Sequence, residues 1–208
     1  VNIPGDVSSA AYFVAVAALL PDSELELAHV GLNPSRTAFL SMLRDIGLAI
    51  TLHEQGEECN EPVGTVSVRG MAAASIQNSG PRVVAQELIP QLIDELPLLS
   101  VVGSQLPGGI TIRGASELRL KESDRITTTV TNLRAMGAQV EEFPDGLSIH
   151  GPKVLHGSQL HSYGDHRIAM AFTVAALLAE GESELIGANS VGISLPEFFE
   201  LLESVVER

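Results

Sequence analysis

Two stretches of this chain, residues 7–20 and 166–179, carry almost no polar side chain on any face, and each follows a Gly-Asp pair, Gly5-Asp6 and Gly164-Asp165. A helix that is apolar all round has to be covered on every side. The chain must therefore bury such helices at its centre. Asp6 and Asp165 suit the N-cap position, where a carboxylate accepts backbone N–H groups that have no partner within the helix. A third acid-led apolar segment is Asp94-Glu95-Leu96-Pro97-Leu98-Leu99-Ser100-Val101-Val102. From Asp6 to Arg36, Asp94 to Arg125 and Asp165 to Pro196 the separations are 30, 31 and 31 residues. Three copies with the same order of elements read as internal duplication.

A second, amphipathic helix follows within each copy. Ala38, Phe39, Met42, Leu43 and Ile46 recur at helical spacing with Arg44 and Asp45 outside; Ile126, Val130, Leu133 and Met136 repeat this over 123–136, and Phe198, Phe199, Leu201, Leu202 and Val205 over 196–206. Gly47 and Gly137 stand where left-handed C-caps end helices. Strands are expected at Leu25–Val30, Ala49–His53, Thr65–Arg69, Gly109–Arg113, Gln139–Phe143, Leu147–His150 and Glu184–Gly187, with Asp145-Gly146 as a hairpin turn. Glu57–Pro62 and Ala74–Pro81 read as surface loops. The whole predicts one compact α/β domain over 1–208, with repeat units of about 1–70, 71–151 and 152–208.

Composition narrows the function classes. Apolar residues make up 45% of the 208, enough for a full core. A net charge of −14 argues against nucleic acid or an anionic membrane as the main partner. The single Cys59 excludes a disulfide framework. The apolar run Ala10–Leu20 is too short for a bilayer span, and no Lys or Arg precedes it as in a secretory signal. A start at Val1 reads as a processed or excised segment.

Three helices opening at equivalent places bring their positive N-termini to one end, which suits an anion. Asp6 is expected only to cap, and Ser8-Ser9 to serve that helix start. In Glu117-Leu118-Arg119-Leu120-Lys121-Glu122-Ser123-Asp124-Arg125 the acids suit a first helical turn, but Lys121 and Arg125 are cations set against a positive helix end. That placement points to a bound anion. Asp165-His166-Arg167 opens a buried helix with a cation; either Asp165 pairs with Arg167, or Arg167 offers its fork to a phosphate or carboxylate. Asp94, a cap or a base for a substrate hydroxyl, and Glu122 are the two acids placed for proton transfer. His150, His156 and His161 lack metal-ligand spacing.

Gly5-Asp6-x-Ser8-Ser9-Ala10, Leu88-Ile89-Pro90-x-x-Ile93-Asp94-Glu95-Leu96-Pro97, Lys121-Glu122-Ser123-Asp124-Arg125 and Asp165-His166-Arg167-Ile168-Ala169-Met170, in that order, resemble the 5-enolpyruvylshikimate-3-phosphate synthase family, in its C-terminal half. The resemblance implies three βαβαββ units about a pseudo-threefold axis. It implies transfer of the enolpyruvyl group of phosphoenolpyruvate to the 5-hydroxyl of shikimate 3-phosphate, in the shikimate route to aromatic amino acids, with no metal or organic cofactor. Asp94 then matches the base and a shikimate-phosphate contact, Glu122 its proton-transfer partner and Lys121 a substrate-binding lysine. Arg125, His166 and Arg167 match the groups holding phosphoenolpyruvate. Glu117 stands where other members carry Asn, and Gly192-Ile193-Ser194 lacks a lysine that some members use. The implied partner is the missing N-terminal half, the implied compartment the cytoplasm, and a lone C-terminal half is expected to be inactive. The alternatives are a UDP-N-acetylglucosamine enolpyruvyl transferase and a non-catalytic anion-binding module of the same fold.

Overall fold

The computed structural model describes residues 2–72, 76 and 80–206. Its centre is three helices: α1 (Val7–Leu19), α4 (Leu96–Gln105) and α6 (His166–Leu177). Each packs against the other two. All-round apolar character is what makes this possible, since Val14, Ala15, Leu98, Leu99, Ala171 and Phe172 are without solvent exposure. Hydroxyls within α4 and α6 turn back on their own backbone: Ser100 donates to the Leu96 carbonyl at 2.8 Å, and Thr173 to that of Ala169 at 2.9 Å. The buried Tyr12 hydroxyl of α1 is the exception, with no hydrogen-bond partner among the described residues.

Around this centre the remaining elements fall into three groups along the chain. In the first unit Gly5 bridges in parallel to Val30 of β1 (Glu24–Gly31); α2 (Ala38–Ile46), β2 (Ala49–Glu58) and β3 (Glu61–Arg69) follow, in a sheet ordered β1-β3-β2. In the second, β4 (Arg82–Val83) leads through α3 (Ile89–Leu92) and α4 to β5 (Ile110–Ile112), its parallel neighbour. Then come α5 (Arg125–Ala135), β6 (Gln139–Phe143) and β7 (Gly146–His150), in the order β4-β5-β7-β6. In the third, β8 (Gln159–His161) and β9 (Glu184–Ile186) pair in parallel across α6, and α7 (Phe198–Val205) is the last element described. Parallel pairing across a buried helix thus occurs as β4–β5 across α4 and β8–β9 across α6, and across α1 as the single Gly5–Val30 bridge.

The outer helices bury the predicted faces of α2 and α5; Phe39, Leu43, Ile126, Val130, Leu133 and Met136 are all buried. Gly47, at φ 103°, and Gly137, at φ 89°, take the left-handed turns that end α2 and α5. α7 differs. Only Phe198 and Leu202 are buried, Phe198 edge-on to Tyr12 and Phe13, while Leu201 and Val205 stay exposed.

Glu57–Pro62 is not a loop. β2 and β3 stay paired to Glu58↔Glu61 beyond a register shift between Glu54 and Gly56, and the turn is Cys59-Asn60, both at positive φ. Its acids misled because side chains of an exposed ribbon are as solvated as those of a loop. The β6–β7 turn is Pro144-Asp145, one residue before the expected pair. β4 and β8 are additional strands of two and three residues, too short to show a period. Of Ala74–Pro81, residues 74–75 and 77–79 lie outside the described residues.

Phe172, at the meeting of the central helices, sets the scale of what holds them. Phe172→Ala is expected to lower unfolding free energy by about 3–5 kcal/mol, measured by urea denaturation of the chain.

Candidate active site

The N-termini of the buried helices carry a polar cluster centred on Arg125, the first residue of α5. Its guanidinium is 1% exposed. The Nε donates to Asp165 Oδ2 at 2.7 Å, Nη1 to Asp94 Oδ1 at 3.0 Å, and Nη2 to Glu122. Three chain segments are thereby tied to one cation. A buried guanidinium without such partners would be strongly destabilising; with them, Arg125 is held more firmly charged than usual, burial being outweighed by Asp165, Glu122 and Asp94.

Asp165 is without solvent exposure and is saturated with donors. Besides Arg125 it accepts from Ser123 Oγ at 3.1 Å and, as the N-cap of α6, from the Arg167 backbone N–H at 2.9 Å. Burial raises its pKa, but the Arg125 bonds, the cap bond and Ser123 overcome this and leave it below the ordinary carboxylate value. No ion pair joins the side chains of Asp165 and Arg167, contrary to one sequence expectation, because the Asp165 oxygens are already committed. The Arg167 guanidinium, 16% exposed, instead reaches Asp94 Oδ2 at 3.3 Å and Glu95 Oε1 at 3.5 Å. Asp94 therefore bridges Arg125 and Arg167 rather than capping α4, and at 40% exposure keeps an edge open to solvent.

The remaining candidates surround this core. His166 is buried with Nδ1 unpartnered, and burial beside Arg167 lowers its pKa, so the ring stays neutral near pH 7. Lys121 reaches Glu117 at 2.9 Å, beyond the short 3₁₀ segment Ser116–Leu120. Arg119 turns to Asp124 and Glu142 and to the carbonyls of Phe143 and Pro144, holding the β6–β7 hairpin. Asp6 caps α1 through the Ser9 N–H at 2.9 Å, as expected, and Arg36 joins it to Ser8. Among the described residues no group of three or more His, Cys, Asp or Glu side chains is placed to hold a metal ion. No helix of the described residues is long and apolar enough to cross a membrane.

The cluster joins Asp94, Glu122, Arg125 and Arg167, which sequence reasoning had singled out. It also contains two acids that had been given no such part. The sequence reads Asp165 as a cap or a partner of Arg167, not of Arg125, and Glu95 only as a letter of a motif. Their signal in the sequence was an acid leading an apolar helix, which also describes an ordinary cap.

Residues 1–202 match the family model described as EPSP synthase (3-phosphoshikimate 1-carboxyvinyltransferase). The chain belongs to the EPSP synthase family. It is 50% identical over 206 residues to the 3-phosphoshikimate 1-carboxyvinyltransferase of Koribacter versatilis, covering 99% of this chain and 47% of that protein. The enzyme of the same name from Desulfitobacterium hafniense is 46% identical over 207 residues, with 46% of its length covered. Among solved structures, the EPSP synthase of Acinetobacter baumannii superposes at a TM-score of 0.89 with 31% identity, over 98% of this chain and 46% of that one. The enolpyruvyl transferase NikO of Streptomyces tendae, 17% identical at a TM-score of 0.71, shares the fold. The α/β enolpyruvyl-transferase fold expected from the motifs is thus found, and the chain spans about half the length of these EPSP synthases.

Asp165 supplies the test of the cluster. Asp165→Asn leaves Arg125 short of a buried counter-charge and is expected to cost about 3–5 kcal/mol in urea denaturation. Because its folded pKa is depressed, the stabilisation it gives is present above the unfolded carboxylate value and is lost as pH falls through the folded one. The gap between wild type and Asp165→Asn should therefore narrow below about pH 4.

Proposed function

We propose that this chain is the C-terminal domain of a 3-phosphoshikimate 1-carboxyvinyltransferase, one domain over 1–208 with repeat units of about 1–70, 71–151 and 152–208. On this reading the enolpyruvyl group of phosphoenolpyruvate passes to the 5-hydroxyl of shikimate 3-phosphate, and phosphate leaves. The observation that carries the reading is the bridging of Arg125 and Arg167 by Asp94, with Glu122 on the same guanidinium. These are the residue types the reaction needs, gathered from positions remote in sequence at the helix starts.

The chemistry is an addition followed by an elimination. A base takes the proton of the 5-hydroxyl while an acid delivers one to the methylene carbon of phosphoenolpyruvate, and the hydroxyl oxygen bonds to its central carbon. The adduct then loses a proton from the new methyl group together with phosphate. Asp94, with its open edge, is the proposed hydroxyl base and a shikimate-phosphate contact. Glu122, half exposed beside it, is the proposed carrier of the methyl proton. Arg167, neutral His166 and Arg125 line the phosphoenolpyruvate end, and Lys121 with Glu117 lies toward the other substrate.

Charge balance supports a half-site. Among the described residues, Asp94, Glu95, Glu122 and Asp165 face only Arg125 and Arg167 within ion-pair distance. Two anionic substrates need more positive charge than that, and the complementary N-terminal half is the proposed source. Closure of the two halves would also exclude water. The cytoplasm is the proposed compartment, in keeping with a chain whose one cysteine is free and exposed.

Phosphate release from phosphoenolpyruvate and shikimate 3-phosphate tests this. The chain alone should give negligible turnover, and addition of the complementary half should restore it. In the assembled enzyme Glu122→Gln is expected to lower kcat by about 10²- to 10⁴-fold. Restored turnover with UDP-N-acetylglucosamine as the preferred acceptor, or none with either acceptor, would contradict the assignment.

A further inference from the structure

Two acids of the cluster are buried, and they are held very differently. Asp165 has a guanidinium, a hydroxyl and a backbone N–H within hydrogen-bond distance. Glu95, at 7% exposure, has one cation, Arg167, at 3.5 Å. Arg167 is shared with Asp94, which adds a like charge next to Glu95. The other groups facing Glu95 are the Ser8 hydroxyl and the buried Tyr12 from α1, and Arg36 from the turn before α2. Arg36 is engaged by Asp6 at 3.3 Å and Ser8 at 3.1 Å. Burial pushes the Glu95 carboxyl above its ordinary value, and Ser8 and Arg167 only partly offset this.

We propose that Glu95 takes up a proton from solvent when a phosphate- or carboxylate-bearing ligand engages Arg167, so that anion capture at this end of the molecule is coupled to neutralisation of one buried acid. The proposal rests on the reading that phosphoenolpyruvate is gripped by Arg167. A ligand oxyanion on that guanidinium competes with both carboxylates already there. Asp94 keeps Arg125 and an open edge to solvent. Asp165 uses the Arg167 backbone rather than its side chain, and Glu122 rests on Arg125. Glu95 alone would lose its ion-pair partner while buried, left with the more distant Arg36 that Asp6 and Ser8 already engage, and with new negative charge beside it. Binding a proton is the least costly response for such a group. Glu95 is then a positioning residue: ionised, it holds Arg167 in the empty site, and neutral, it releases the guanidinium to the ligand.

The test is calorimetric titration of the whole enzyme, this chain joined to its complementary half, with phosphoenolpyruvate between pH 6 and 8. Each titration is run in two buffers of different ionisation heat. Wild type should take up as much as one proton more than Glu95→Gln, and its affinity relative to that variant should weaken by up to tenfold per pH unit. Ionisation of the ligand itself is common to both proteins and cancels. Ser8→Ala, which removes a hydrogen bond favouring the ionised acid, should move the uptake to higher pH; this decides the matter if Glu95→Gln does not fold. Equal proton counts in wild type and Glu95→Gln, or an unmoved pH dependence in Ser8→Ala, would overturn the proposal while leaving the functional reading in place. Failure of wild type to bind phosphoenolpyruvate would overturn both.

Discussion

The buried guanidinium of Arg125 is the fastening on which the polar end of this molecule depends. It connects the segment before α4, the start of α5 and the cap of α6 through Asp94, Glu122 and Asp165. Such a cation is tolerable in a nearly dry place only because each nitrogen meets a carboxylate. The arrangement gives orientation more than net stability: it fixes where Asp94 and Glu122 stand relative to Arg167. A continuous relay extends it. Asp6 and Ser8 meet Arg36, Ser8 meets Glu95, Glu95 meets Arg167, and Asp94 joins Arg167 to Arg125. All three buried helices are thus connected through side chains at their first turns.

The division of labour along those helices follows from physics. Their bodies are so apolar that charge can be accommodated only at an end, and N-termini favour ligands with negative charge. Intramolecular carboxylates fill that role in the structure. The cluster is consequently over-supplied with negative charge for a chain proposed to bind two anions. That imbalance is physically sensible if the rest of the positive field comes from another part of the protein, which agrees with a chain covering about half of its relatives' length.

Much of the fold was legible because its signals are local. The unbroken apolar runs of α1 and α6, the Asp caps, the faces of α2 and α5 and the closing turns at Gly47 and Gly137 are each written within a few residues. What escaped has a different origin. β4 and β8 exist by pairing with distant strands, the tip of the β2–β3 ribbon looks like a loop in composition, and the exposed Leu201 and Val205 depend on what α7 has to pack against. At the site, residue types named Asp94, Glu122, Arg125 and Arg167, but the contacts among them did not follow. Asp165 meets Arg125 across 40 positions and Glu95 meets Arg167 across 72. No periodicity encodes such pairs; the topology makes them.

On the proposed reading, the first turns of α4, α5 and α6 form one anion-binding rim. Backbone amide chemical shifts of the chain, followed by NMR during titration with shikimate 3-phosphate and phosphoenolpyruvate together, test it most directly. Saturable shifts are expected at Asp94–Glu95, Lys121–Arg125 and Asp165–Arg167, with the β2–β3 turn at Cys59-Asn60 unmoved. Shifts confined to other surfaces, or none at these three segments when both ligands and the complementary half are present, would contradict it.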